Sequence, residues 1–159
     1  MTKRCNPSNF SASQRTYDVE VKTKDAVPAT SLDEPLSEVN LDNVFFVQIG
    51  TGVDLHGQDI TKAAIRAVED AIRSNSMPGL RAVLPGGSID NMSVNVRLAV
   101  PCDGDKLDIA RIKSVLPYGR VTVEVVEGGM LTSSGVVLPD KQDKNDLIYI
   151  VNAAVEVGY

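Results

Sequence analysis

Two kinds of pattern alternate along this chain from Val44 onward. Val44 to Ile49 (VFFVQI) is a continuous apolar run of the kind found in buried strands, and Gly50-Thr51-Gly52 reads as its end. Ile60, Ala64, Val68, Ala71 and Ile72 then recur at helical spacing. A helix is therefore expected from a cap at Asp59 or Thr61 to about Asn75, where the stop NSMPG follows. Ser93 to Val100 alternates, with Val94, Val96, Leu98 and Val100 on one face, and reads as a half-buried strand. Asp105 is the expected cap of a second helix carrying Leu107, Ala110, Val115 and Leu116 and stopped by Pro117. Arg120 to Val126 is a further strand with Val121, Val123 and Val125 inward. Gly128-Gly129 and Ser133-Ser134-Gly135 read as a loop, and Leu147 to Val157 as a last strand long enough to be central.

The order β-α-β-α-β-β predicts an α/β two-layer sandwich, a mixed sheet with helices on one face. The uncovered face is expected to be lined by Val and Ala and to bury against other subunits, which predicts a homo-oligomer, most simply a trimer. Residues 44–159 form the single domain in this reading. Residues 1–43, with sparse apolar positions and interruptions at Pro7, Pro28 and Pro35, read as a flexible arm. Within it, Tyr17 to Lys22 alternates and could add an edge strand. Lys3, Arg4 and Arg15, with no acid in the first 16 residues, faintly resemble an organellar targeting segment.

Composition narrows the partners. The chain has 159 residues, 43% hydrophobic but only 4% aromatic, and carries a formal charge of -5. With no basic face and few stacking side chains, nucleic acid is not expected as a partner, nor is an anionic membrane. The longest apolar stretch, Leu147 to Val157, carries Asn152 and Glu156 and is too short to span a bilayer. Cys5 and Cys102 match no zinc or redox spacing, so a reducing, cytoplasmic setting is the simplest expectation, with an organelle as the alternative if the arm is a targeting segment.

The densest chemistry is Gly50-Thr51-Gly52-Val53-Asp54-Leu55-His56-Gly57-Gln58-Asp59, between the first strand and the first helix. Asp54 and His56, two apart, would share a face of extended backbone. There they could hold one metal or orient one another for proton transfer. Gly50, Gly52, Gly57 and Gln58 would shape the loop around a ligand, and the helix N-terminus would favour an anion. The plainer reading is that Asp54 and Asp59 cap the helix while His56 bonds backbone. His56 is the sole histidine, and a catalytic zinc takes three protein ligands, so a divalent metal is not the favoured reading and the cofactor stays open. A second cluster, Gly128 to Gly135, offers Ser133 and Ser134 as nucleophiles, with Lys141 and Lys144 downstream; ordinary turn chemistry is the favoured reading there. Pro85-Gly86-Gly87-Ser88 reads as a plain loop. Arg97, on the polar side of its strand, is a possible anion clamp.

At Gly50, Gly52, Asp54, His56 and Gly57 the chain matches Gly-x-Gly-x-Asp-x-His-Gly and resembles the uncharacterised bacterial and plant Lin family, over about Val44 to Tyr159. That family has no established activity. Gly-x-Asp-x-His is also similar to methylerythritol cyclodiphosphate synthase; this implies Asp54 and His56 as metal ligands at a trimer interface, although no second histidine is present. DLHGQDITKAAIRAVEDAI and the SSGV at Ser133 resemble one repeat of the cyanuric acid hydrolase and barbiturase group, which implies a serine–lysine site for opening cyclic amides. These relatives resemble trimeric folds of the Bacillus chorismate mutase type.

The expected function is thus binding or transformation of a small polar or anionic molecule at an intersubunit site built on the Gly50–Gly57 loop. A non-catalytic metabolite-binding or structural oligomer is the alternative, and a ring-opening hydrolase a second one.

Overall fold

The computed structural model describes residue 41 and residues 43–159. Apart from residues 41 and 43, the arm, including the Tyr17 to Lys22 alternation, lies outside the described residues. The elements are β1 (Val44–Asp54), α1 (Ile60–Arg73), a single turn α2 (Leu80–Val83), β2 (Ser93–Val100), α3 (Ile109–Lys113), β3 (Arg120–Glu127), β4 (Met130–Ser133) and β5 (Leu147–Gly158). They form one mixed sheet of five strands in the order β1-β5-β2-β3. β5 runs antiparallel to β1 and to β2, and β2 is parallel to β3. β4 pairs with Leu147 to Ile150 of β5, ahead of the stretch that β2 occupies. β5 is therefore central, as its length predicts.

Three boundaries differ from expectation. β1 does not stop at Gly50; it runs to Asp54, because Gly50 and Gly52 hold strand register with Ala153 and Val151. The second helix is one short turn capped by Asp108, whose Oδ1 accepts from Arg111 N at 3.0 Å, and Asp105 lies in a separate 3-10 turn. Met130 to Ser133, read as loop, is β4: edge pairing with β5 supplies its backbone partners although its sequence is too short to show a period.

The helices pack on one face, with α1 over β1 and β5 and touching α3. Under them lie Val94, Val96, Leu98 and Val100 of β2 and Val151, Ala153, Val155 and Val157 of β5, all buried. The α1 residues whose backbone lies against Gly50 and Gly52 of β1 include Ala63, Ala67 and Ala71. Those small residues let α1 sit almost directly on β1. A Cβ on Gly50 would lie 2.3 Å from Ala67 O, and one on Gly52 would lie 2.0 Å from Ala63 O. These glycines are where a helix backbone meets a strand backbone.

The open face is not the Val and Ala surface expected. Alternation places Val94, Val96 and Leu98 under the helices, so Asn95 and Arg97 must face the other way. Asn95 Nδ2 donates to Glu156 Oε2 at 2.9 Å, and Arg97 Nε donates to Glu124 Oε2 at 2.9 Å. This polar centre is flanked by exposed Val47 and Ile49 on the edge strand β1, Ile49 being 69% exposed. Cys102, for which the spacing suggests no redox or zinc role, is buried and disulfide-bonded. Among the described residues no helix is long and apolar enough to cross a membrane.

Candidate functional site

Antiparallel pairing decides which loops meet. Asp54 at the end of β1 is opposite Tyr149 near the start of β5. The turn after β1 and the loop 134–146 before β5 therefore emerge at the same end of the sheet, and the signature segment is built between them.

Asp54 faces the helix side and is 0% exposed. Its Oδ2 accepts from Asp59 N at 3.0 Å, and its Oδ1 meets Lys62 Nζ at 2.9 Å and Arg66 Nη1 at 3.2 Å. The carboxylate sits at the N-terminus of α1, where the helix dipole favours negative charge. Asp59 is the N-cap, its Oδ1 accepting from Lys62 N at 3.0 Å. Arg66 also donates to Val53 O, and Thr51 N donates to Asp70 Oδ2 at 2.9 Å. Side chains of α1 thus satisfy part of the outer edge of β1, which blunts an otherwise open strand.

His56 turns the other way. Its Nδ1 lies 2.9 Å from Asp143 Oδ2, in the loop before β5. The other oxygen of Asp143 accepts from Gly57 N at 2.7 Å, and Oδ2 also accepts from Leu138 N at 2.8 Å. Gly57 and Gln58 both adopt positive φ, 91° and 49°, which folds the chain sharply enough for the His56 ring and the Gly57 amide to reach one carboxylate. Gln58 completes the clasp: its Nε2 donates to Asn145 O and Leu147 O, and its Oε1 accepts from Lys144 N at 2.8 Å.

The Asp143 side chain is 1% exposed. Desolvation opposes its ionisation, but the amides of Leu138 and Gly57 and the His56 ring outweigh that. They bring the carboxyl down from 3.8 to about 2. An ionised carboxylate accepts and cannot donate, so His56 Nδ1 carries the proton in the neutral ring. Nε2 is then left with its lone pair, and it has no hydrogen bond among the described residues. The His56 side chain is 31% exposed. A buried carboxylate thus orients a solvent-accessible imidazole with its basic nitrogen outward, an arrangement suited to proton transfer, to accepting a hydrogen bond or to ligating a cation.

The structure separates residues that the sequence placed together. Asp54 is committed to α1 and His56 to Asp143, and no group of three or more His, Cys, Asp or Glu that could hold a metal is found among the described residues. Gly50 and Gly52 lie in β1 beneath α1 and not in a loop. Ser133 Oγ donates to Asp146 Oδ2, and Ser134 Oγ bonds Val136 O and Asp146 O. Neither serine is hydrogen-bonded to a lysine or histidine among the described residues. Arg97 lies on the open sheet face, its guanidinium between Glu124 and Glu156 at 2.9 and 3.8 Å. Asp143 is the residue that sequence reasoning missed. It stands between Lys141 and Lys144 in what reads as a solvated charge run, and the one available signal is that a lone histidine at a strand end needs a partner from another loop at that end.

No curated protein matches the chain. Among solved structures it is similar to an FtsZ-like protein of unknown function from Nostoc punctiforme PCC 73102, with 38% identity and a TM-score of 0.65. That match covers 72% of this chain and 93% of the other. Residues 44–157 match the model of the conserved hypothetical proteins called Lin0512_fam. The span covers all of the sheet but Gly158, both loops of the clasp and the Asp143–His56 pair, and the chain belongs to this family.

Proposed function

We propose that this protein works as a homo-oligomer that binds, and through His56 transforms, a small polar or anionic molecule at the end of the sheet where the Gly50–Gly57 segment meets the loop before β5. The observation that carries this reading is the Asp143–His56 pair: a buried, ionised carboxylate fixing the tautomer of an accessible imidazole. His56 Nε2 would take a proton from the bound molecule, and Asp143 would stabilise the imidazolium that forms. Gly57 and Gln58 serve this site by holding the two loops together. In this reading Asp54, Gly50 and Gly52 position the turn through α1 and do not touch the ligand.

A trimer of the Bacillus chorismate mutase type is the assembly proposed. It is supported by the one-faced sheet and by Val47 and Ile49, exposed on an edge strand. A purely structural oligomer is the second reading. It is favoured by the number of atoms of the signature already engaged in bracing, including both polar ends of Gln58. The ring-opening hydrolase has less support, since the serines are held by Asp146.

The readings separate in a titration of the full chain with inorganic phosphate and with malonate, followed on the ring resonances of the single histidine and on the Gly57 backbone amide. Saturable shifts at both, with those at Gly57 lost in His56→Ala without loss of assembly, support the site. No saturable shift with either probe, together with a large fall in melting temperature for His56→Ala, would reject it in favour of the brace.

A further inference from the structure

A second feature stands about 20 Å along β1 from Asp54, six residues away at strand rise. Gln48 points to the helix side and is 4% exposed, yet its Nε2 has no hydrogen-bond partner among the described residues. It lines a pocket of about 220 Å³ between the sheet, the end of α1 and the segment before β3. Ile72, Met77, Met92 and Val155 form much of the wall, and Tyr118, 60% exposed, stands at the rim. Apart from Gln48 and the Tyr118 hydroxyl the lining side chains are apolar, and none is charged.

A buried amide donor without a partner is uncommon in folded proteins and calls for an acceptor. Water is a poor candidate, because an ordered buried water needs two to four polar partners and this wall offers one near its base. An ionised carboxylate is also a poor fit, since burying it without a cation is costly. What remains is a neutral acceptor on an apolar body. The volume suffices: an apolar cavity of about 150 Å³ is known to hold benzene.

We propose that this pocket is a binding site, separate from the His56 site, for a small neutral molecule with an apolar body and one carbonyl-type oxygen that accepts from Gln48 Nε2. The test uses two probes of the same shape, acetophenone and isopropylbenzene, which differ in carbonyl oxygen against methyl. Each is titrated into the full chain and followed on the Met77 and Met92 methyl resonances and the Gln48 side-chain amide. Saturable shifts at these groups are expected, with acetophenone at least about tenfold tighter, since it alone satisfies the donor. In Gln48→Leu the preference should fall to about one or reverse. Absence of saturable acetophenone binding in the wild-type chain, or equal affinity for the two probes, overturns the proposal without recourse to any variant. So does a preference that survives Gln48→Leu.

Discussion

Replacing Gly52 by alanine tests whether the first half of the signature is packing or ligand chemistry. The added Cβ would stand 2.0 Å from Ala63 O and 2.3 Å from Ala67 N, both backbone atoms of α1. An ordinary carbon–oxygen contact is about 3.3 Å, so helix and strand must part by about 1 Å. A gap of that size forfeits roughly a quarter to a half of the dispersion energy along the contact, here along the Ala63, Ala67 and Ala71 stripe. Overpacking of a well-packed core costs about 1–3 kcal/mol, and a clash with backbone on both sides belongs at the upper end, about 3 kcal/mol. At roughly 4 °C per kcal/mol for a domain of this size, the melting temperature should fall by about 12 °C. Gly79→Ala is the control: nothing lies within 4 Å of its would-be Cβ, and its φ of -84° suits any residue. It should stay within about 0.5 kcal/mol of the parent. Thermal melts of the three proteins by circular dichroism decide. A Gly52→Ala melt within about 2 °C of the parent would refute the packing account and return this glycine to the ligand.

Asp54→Ala removes a buried acceptor of the Asp59 amide and should cost about 1–3 kcal/mol in chemical denaturation; a cost near zero would mean that the contact with α1 is dispensable. The Asp143 carboxyl, held at about 2 against 3.8, lies below its unfolded value. The stability it lends is therefore complete above about pH 4 and is lost as pH falls toward 2. The difference in melting temperature between the parent and Asp143→Asn should accordingly shrink between pH 4 and 2; a difference constant over that range would contradict the assignment. Ile49→Lys, at an exposed position of β1, should leave the melt of the fold unchanged and lower the mass measured by light scattering after size exclusion. An unchanged oligomer would place the interface elsewhere, and a monomeric parent would remove it.

Periodicity made most of the fold legible. Ile60, Ala64, Val68 and Ala71 of α1 and the alternating valines of β2 name buried faces, although Ala63 and Ala67, also buried, fall outside that stripe, and the length of β5 announces a central strand. What stayed hidden was non-local. β4 is a strand only because β5 is beside it. The alternation of β2 places Arg97 on the polar side, but the partners that make the open face a polar centre, Glu124 of β3 and Glu156 of β5, come from other strands. At the signature segment the spacing and the contacts differ. Spacing suggested that Asp54 and His56 act together, whereas one residue belongs to the helix below and the other to a loop 87 residues away. No pattern within ten residues can display that partner, because antiparallel pairing of β1 with β5 creates the contact.

The central claim is that Asp143 fixes His56 with its basic nitrogen outward, and the sole histidine of the chain makes this directly measurable. Long-range proton–nitrogen correlation spectra of the neutral imidazole report which nitrogen carries the proton. The account predicts a single tautomer protonated at Nδ1 with Nε2 bare, lost to a mixture in Asp143→Asn. A ring protonated at Nε2, or a parent spectrum already showing the mixture of a free imidazole, would contradict it.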